Sequence, residues 1–254
     1  MKIEGARALV TGANRGIGRA FVDALLERGA ELVHVVGRDL ESLETMSGFD
    51  RDRIRPVELD VTDAVGIEEL ARSTHDLNLL INNAGVECNV SVLATDAMAD
   101  LRRVMEVNYF GVLNMSRAFA PVLARAPESA LVNIGSMAAF INVAQSTGYS
   151  AAKAAQLMLT LGLRAELAGQ GTRVVQVLPG FVDTDMSRSF PLPKAQPEEI
   201  ARASLDAVEA GEELVLPDRF ARMSYEALLA EPDRVMREPG RVLEELVGRL
   251  LEDG

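Results

Sequence analysis

The stretch Arg7-Ala8-Leu9-Val10-Thr11-Gly12-Ala13-Asn14-Arg15-Gly16-Ile17-Gly18 decides the fold. A β-type apolar run passes into a turn with three glycines and then into a helix. Glycines in that place make a tight turn, let backbone N–H groups approach a phosphate, and let the helix pack closely on the strand with its N-terminus facing the anion. Gly12, Gly16 and Gly18, with Asn14, Arg15 and Ile17 between them, are therefore candidates for a phosphate cradle. A glycine triplet alone is a weak signal, and its weight here comes from the strand–turn–helix context within the first twenty residues.

Working outward, short β-rich runs alternate with longer amphipathic segments as far as about residue 216. Strands are expected near 7–10, 32–36, 54–59, 77–81, 130–134, 173–178 and 213–216, and helices near 16–28, 40–46, 64–73, 96–124, 148–168 and 197–210. Thr62-Asp63, Thr95-Asp96 and Gln196-Pro197 read as helix starts. The alternation argues for a single doubly wound α/β domain of the Rossmann type. Several strands are continuous Val/Ile/Leu runs, as expected of a mainly parallel sheet of about seven strands covered on both faces. This domain is expected to span 1–218, with 219–254 as a helical extension of it. The extension carries Met223, Ala227, Leu228, Val235, Leu243, Val247 and Leu250 near helical spacing, divided at Glu231-Pro232 and Glu238-Pro239-Gly240. It reads as a capping helix pair, a subunit contact or a lid.

Composition excludes several functions. With 26 Lys and Arg against 38 Asp and Glu, the 254-residue chain has a formal charge of −12, which repels nucleic acid and anionic membrane faces. The single cysteine, Cys88, allows no internal disulfide, and Glu4 sits where a signal peptide would have its apolar core. A cytoplasmic protein is expected. His34 and His75 have no ligand set around them, so no metal is expected. Residues 129–163 carry Lys153 as their only charge, but Asn133, Ser136, Asn142, Gln145, Ser146, Thr147 and Ser150 break the run, with Gly135 and Gly148 punctuating it. It reads as buried strand, loop and buried helix rather than a membrane span.

That helix places Tyr149 and Lys153 at i and i+4, on one face. Tyrosine, with an ordinary pKa of about 10, is a poor base at neutral pH, and a cation within a few ångströms is expected to lower it by roughly 1–3 units. The pattern is common by chance; its position in a charge-poor stretch raises its weight, because a buried ammonium needs partners. At the end of the second strand, Gly37-Arg38-Asp39 puts Gly37 where enzymes using NAD place a carboxylate for the ribose. Arg38, with Arg15 on the same side, suits the 2′-phosphate of NADP. A shift of register would make Asp39 a ribose ligand instead.

With these motifs in order, the sequence resembles the short-chain dehydrogenase/reductase family, of the compact kind, over roughly residues 5–190. The family's Thr-Gly-x-x-x-Gly-x-Gly pattern matches Thr11, Gly12, Gly16 and Gly18. The resemblance implies that Asp60 contacts the adenine amino group, with Val61 beside it, and that Asn82-Asn83-Ala84-Gly85 borders the adenosine. Asn108, Ser136, Tyr149 and Lys153 match the catalytic tetrad in order and approximate spacing. Pro179-Gly180-Phe181-Val182-Asp183-Thr184 matches the segment holding the nicotinamide, with the Val182 backbone on the carboxamide and Thr184 near the diphosphate. Tyr149 is then expected to donate a proton to a carbonyl as hydride arrives, Ser136 to hold the same oxygen, Lys153 to bind the ribose and Asn108 to hold a water.

The implied activity is an NADP(H)-dependent oxidoreductase acting on an aldehyde, ketone or alcohol, with NADP(H) preferred and NAD(H) possible. A non-catalytic NADP-sensing or interaction protein on the same fold is the alternative. The helices at 96–124 and 148–168 resemble those that pair subunits in the family, so a homodimer or homotetramer is expected. Met137, Phe140, Ile141, Val143, Phe181, Met186 and Phe190 are candidates for an apolar substrate wall, and Cys88 for a place near its mouth. The chain departs from the family in two places: the segment 184–197, where members build a lid, is short, and the end lacks a glycine-rich seventh strand. A short lid predicts an open site.

Overall fold

The computed structural model describes residues 1–45, 50–143 and 146–252. Met46, the expected end of the second helix, and Gln145 lie outside the described residues. Seven strands form one sheet: β1 (Arg7–Thr11), β2 (Leu32–Gly37), β3 (Ile54–Glu58), β4 (Leu79–Asn82), β5 (Ser129–Ile134), β6 (Thr172–Val177) and β7 (Leu214–Val215). Their order is β3-β2-β1-β4-β5-β6-β7, and every pairing is parallel. The order reverses between β1 and β4, which opens a crevice at the carboxyl edge where this class of sheet binds ligands.

Strand periodicity assigns the side chains to the two faces. Ala8 and Val10, Leu79 and Ile81, and Ala130, Val132 and Ile134 face α1 (Gly16–Glu27) and α7 (Pro197–Ala210), packing with Phe21, Leu25, Ile200 and Leu205. Leu9, Leu80, Leu131 and Val174 face the opposite layer, where α3 (Ala64–Ser73), α5 (Val112–Leu123) and α6 (Thr147–Leu167) supply Ile67, Met115, Phe119 and Leu163. The short α2 (Leu40–Glu44) follows β2 and buries Leu43 on the α1 side.

Three local expectations change. The fourth strand starts at Leu79 rather than at residue 77. The long helix starts at Met98, not near Asp96, as α4 (Met98–Met105), and no side chain caps it. A six-residue π-helical segment, Glu106–Gly111, then separates α4 from α5. That widened turn lies where Gly111 meets Val61, since a Cβ there would sit 2.8 Å from Val61 Cγ2. It is also where Asn108 turns inward, and π segments of this kind cluster at functional positions. Asp63, by contrast, caps α3 as expected, accepting from the N–H groups of Val65 and Gly66.

The C-terminal extension is three helices, not two: α8 (Arg219–Ala230), α9 (Pro232–Arg237) and α10 (Pro239–Glu252). Pro232 and Pro239 each open a helix at the position where a missing N–H costs nothing. The three bury Met223, Val235, Val242, Leu246 and Leu250 together with Ile141 and Phe220, and Phe181 packs against the group. Asp218 fastens this subdomain to the sheet edge. One of its oxygens accepts from Ala221 N, capping α8, and the other from Gly180 N, both at 2.8 Å. Asp218→Ala removes a cap and leaves a buried donor unpaired, so it should lower unfolding free energy by roughly 1–3 kcal/mol in urea titrations. Asp218→Asn, which keeps one acceptor, should lose less.

Candidate active site

A cavity of about 530 Å³ runs along the carboxyl edge from the glycine turn to the C-terminal helices. Gly12, Asn14, Arg15, Gly16 and Ile17 form its floor at one end, beside Arg38, Asp60, Val61, Asn83, Ala84 and Gly85. Ser136, Tyr149, Lys153, Pro179, Gly180, Val182 and Thr184 line it further along. Gly18, Asn108, Phe140 and Cys88 are not among the residues that line it.

The glycine turn is closed by close approach. Gly12 and Gly16 have φ of +63° and +52°, which favour glycine. A Cβ on Gly12 would meet Ala84 Cα at 3.0 Å, and one on Gly18 would lie 2.1 Å from Gly12 O. The Thr11 hydroxyl accepts from the N–H groups of Asn83 and Ala84, while Asn83 Nδ2 donates to Thr11 O and Gly12 O. The Asn83 amide nitrogen is thus directed at the turn, where it satisfies two carbonyls at the β1–β4 edge. The twelve-residue α1 begins with no side-chain cap and no acid in its first turn, so its leading N–H groups are left for an anion. These features fit the diphosphate of a dinucleotide.

At the end of β2, Gly37 is the last strand residue. Asp39 caps α2, accepting from Ser42 N, so its carboxylate is engaged locally. Asn14 Nδ2 donates to Ser42 Oγ at 2.9 Å, holding α2 to the glycine turn. Arg38 is exposed and forms no ion pair among the described residues. Arg15 is different: its guanidinium pairs with Asp185 at 2.9 Å, across the cavity.

The segment after β6 is pinned at its base, where Asp183 N donates to Ala195 O and Ala195 N to Phe181 O. Val182 O accepts from the Ser187 hydroxyl, and Val182 lines the cavity. The short loop beyond it does not leave the site open. Phe220 of α8 and Leu243 of α10 line the cavity with Met137, Ile141, Val143, Phe181, Met186 and Phe190, so the C-terminal helices supply the wall that a longer loop would supply. Phe140 faces away and meets the Tyr225 ring edge-on. The half-buried Cys88 thiol is pushed up by burial and by Asp100 and Glu87, the reverse of an activated nucleophile.

A family model described as short chain dehydrogenase matches residues 6–194. The chain belongs to the short chain dehydrogenase family. Among curated relatives, a 3-oxoacyl-(acyl-carrier-protein) reductase FabG of Vibrio cholerae is 31% identical over 237 residues, 92% of this chain and 93% of that protein. An uncharacterized oxidoreductase of Staphylococcus aureus is 34% identical over 210 residues, 79% of this chain and 90% of the relative. Among solved structures, a short chain dehydrogenase from Burkholderia cenocepacia in complex with NADP is 41% identical, with a TM-score of 0.88 and 96% and 99% of the two chains covered. This short chain dehydrogenase is accordingly an NAD(P)-dependent oxidoreductase acting on CH–OH or C=O groups.

Its polar centre is almost free of charge. Ser136, after β5, accepts from Ala138 N at 3.1 Å and lines the cavity with Tyr149. Lys153, 5% exposed, donates from Nζ to Ile134 O at 2.9 Å and to Gln156 Oε1 at 3.1 Å; its ammonium lies 5.7 Å from the Tyr149 ring centroid. Gln156 was not evident from the sequence, although its place three residues after Lys153 on one helix was a usable signal. Asn108 Oδ1 accepts from Val86 N and its Nδ2 donates to Val86 O, so the side-chain amide holds that loop. Gly85 lets this happen, since a Cβ there would be 2.9 Å from Asn108 Oδ1.

The expected lowering of the Tyr149 pKa does not occur in this cofactor-free arrangement. Burial pushes it well above its ordinary value, against a smaller pull from the Ser136 hydroxyl and with a further push from Glu87. Burial likewise brings Lys153 down to about 7, because its two partners are neutral carbonyls. Between that value and the 10.5 of a free lysine, the unfolded chain binds the extra proton, so stability rises with pH across this window. Above pH 10 Tyr149 acts in the opposite sense, the unfolded chain losing its proton first. With no nucleotide present, wild type should therefore gain roughly 2–4 kcal/mol relative to Lys153→Met between pH 7 and pH 10, read from urea midpoints at each pH.

Proposed function

We propose that this enzyme reduces aldehydes or ketones with NADPH, and catalyses the reverse alcohol oxidation, with Tyr149 as the general acid and base. The observation that carries the reading is the Ser136–Tyr149 hydroxyl pair beside Lys153, inside the same cavity as the glycine turn. When bound, the dihydronicotinamide supplies the hydride that the carbonyl carbon gains.

The chain's own residues handle the proton. Burial keeps Tyr149 protonated at neutral pH, which is the form that donates to a carbonyl oxygen. Ser136 Oγ accepts from Ala138 N and carries a hydroxyl proton that can turn to that oxygen. Lys153 lies close enough to offset the negative charge that develops on Tyr149 as the proton leaves. Asn108 acts one layer out, by fixing Val86 and hence the loop that borders Tyr149.

NADP is favoured over NAD by three features: no carboxylate at Gly37, an exposed and unpaired Arg38, and an Asp39 spent on capping α2. The NADP complex of the Burkholderia relative supports the same choice. Arg15 is a secondary contact, since it must leave Asp185 to serve. Each charge-assisted bond to the 2′-phosphate is worth roughly 1.5–3 kcal/mol, so NADPH should bind at least about tenfold more tightly than NADH. Arg38→Ala should erase that preference. Fluorescence titration of both nucleotides decides it, and equal wild-type affinities would overturn the assignment.

We also read the assembly as a two-fold dimer through the helices around 98–123 and α6, which leave Phe110, Met158 and Leu161 exposed. Turnover is tested with Tyr149→Phe, which keeps the ring and its packing. The rate of NADPH consumption with any reducible carbonyl should fall by about 10²–10⁴ while NADPH affinity persists. A folded Tyr149→Phe enzyme with near-wild-type turnover would refute the mechanism, and a wild type that binds NADPH but reduces nothing would favour the non-catalytic reading.

A further inference from the structure

Four acidic residues line the cavity, and three are engaged. Asp39 caps α2, Asp60 accepts from the N–H and hydroxyl of Thr62, and Asp185 pairs with Arg15 and Arg188. Glu87 is different. It is half-buried, no cation lies within 4 Å of it among the described residues, and its charge reaches Tyr149.

Among the described residues only Ser146 donates to it, to Oε1 at 3.1 Å, and the same hydroxyl also lies 2.6 Å from Asn89 Oδ1. One hydroxyl proton serves one of these acceptors at a time. A carboxylate with about four acceptor sites therefore has at most one donor among the described residues. Its position is nonetheless fixed, because the preceding Val86 has both backbone groups held by Asn108. Burial raises the Glu87 carboxyl somewhat, and the Ser146 hydrogen bond opposes this. The same cavity has an apolar wall formed by Ile141, Phe181, Met186, Phe190, Phe220 and Leu243.

We propose that Glu87 selects the substrate: an apolar aldehyde or ketone that carries, away from its carbonyl, a hydrogen-bond donor such as a protonated amine or a hydroxyl, and not a carboxylate. The inference rests on the carbonyl-reductase reading above and names its substrate class. A donor meets the unpaired acceptors of Glu87 while the body of the molecule lies on the apolar wall. An anionic group brought to the same place faces a like charge in a poorly hydrated pocket, with the chain's net charge of −12 adding to the repulsion. Exclusion by repulsion is as much a part of specificity as attraction.

The test uses four ketones that share an acetophenone core and differ in the para substituent: methyl, hydroxymethyl, aminomethyl and carboxylate. The hydroxymethyl or aminomethyl ketone should exceed both the methyl ketone and the carboxylate in kcat/KM, the carboxylate by at least about tenfold and mainly through KM. In Glu87→Gln the advantage over the carboxylate should shrink to under about threefold, the aminomethyl ketone losing more than the hydroxymethyl one. Calorimetric titration of the same compounds into the NADP-loaded protein gives a readout that needs no turnover. Selective binding without any reduction would strike the carbonyl-reductase reading and leave the role of Glu87 standing. Equal handling of the carboxylate, a preference for the methyl ketone, or discrimination that survives in Glu87→Gln would overturn the inference.

Discussion

The Thr11 hydroxyl holds the site together. By accepting two consecutive N–H groups from the end of β4 while Asn83 returns its amide to the carbonyls of Thr11 and Gly12, it locks β1 to β4 at the point where the strand order reverses. A parallel sheet offers no hairpin there, so the two strand ends would otherwise be free to splay. With them clamped, the glycine turn and the Ala84-Gly85-Val86 loop keep a common geometry. Val86 then orients Asn108, and Gly85 leaves room for the Asn108 amide to approach.

A second constraint is the exclusion of charge from the layer behind Tyr149. Asn82, Asn133 and Gln176 are register neighbours on β4, β5 and β6. Asn82 donates to Asn133 and Ser116, Asn133 to Thr160, and Thr160 to Gln156 O. This buried seam of neutral groups ends at Gln156 and Lys153. The chain of bonds is not complete, since Asn82 Oδ1 and Gln176 Oε1 are buried without a partner among the described residues, but the links that are made run up to the one ammonium of residues 129–163. Burial among these neutral groups brings Lys153 down to about 7, and burial likewise favours the protonated form of Tyr149.

The C-terminal helices complete the cavity by a route unlike a loop. Asp218 joins the start of α8 to Gly180 on the segment after β6, so the apolar wall is tied to the backbone that follows the sheet. Phe181, Phe190 and Phe220 stack in tilted pairs across that junction, with centroids 5.4 and 4.9 Å from Phe181. Such ring pairs add modestly to area burial; their larger effect is to give the substrate end a rigid apolar surface, against which the charge of Glu87 stands out.

What the sequence determined by itself was everything whose cause is local. Strand–turn–helix punctuation around Gly12 and Gly16, the strand-by-helix alternation, the i,i+4 spacing of Tyr149 and Lys153, and the prolines that open α7, α9 and α10 all act through backbone preferences and side-chain periods a few residues long. Tertiary structure decided the contacts that join distant segments. Arg15 meets Asp185 across 170 residues, Asp218 meets Gly180 across 38, and Leu243 reaches a wall begun by Met137. The ionisation of Tyr149 and Lys153 belongs to the same class: spacing predicts that they share a face, but burial from every side sets their proton affinities, and burial is a property of the packed sheet and its helices, which no short stretch of chain encodes.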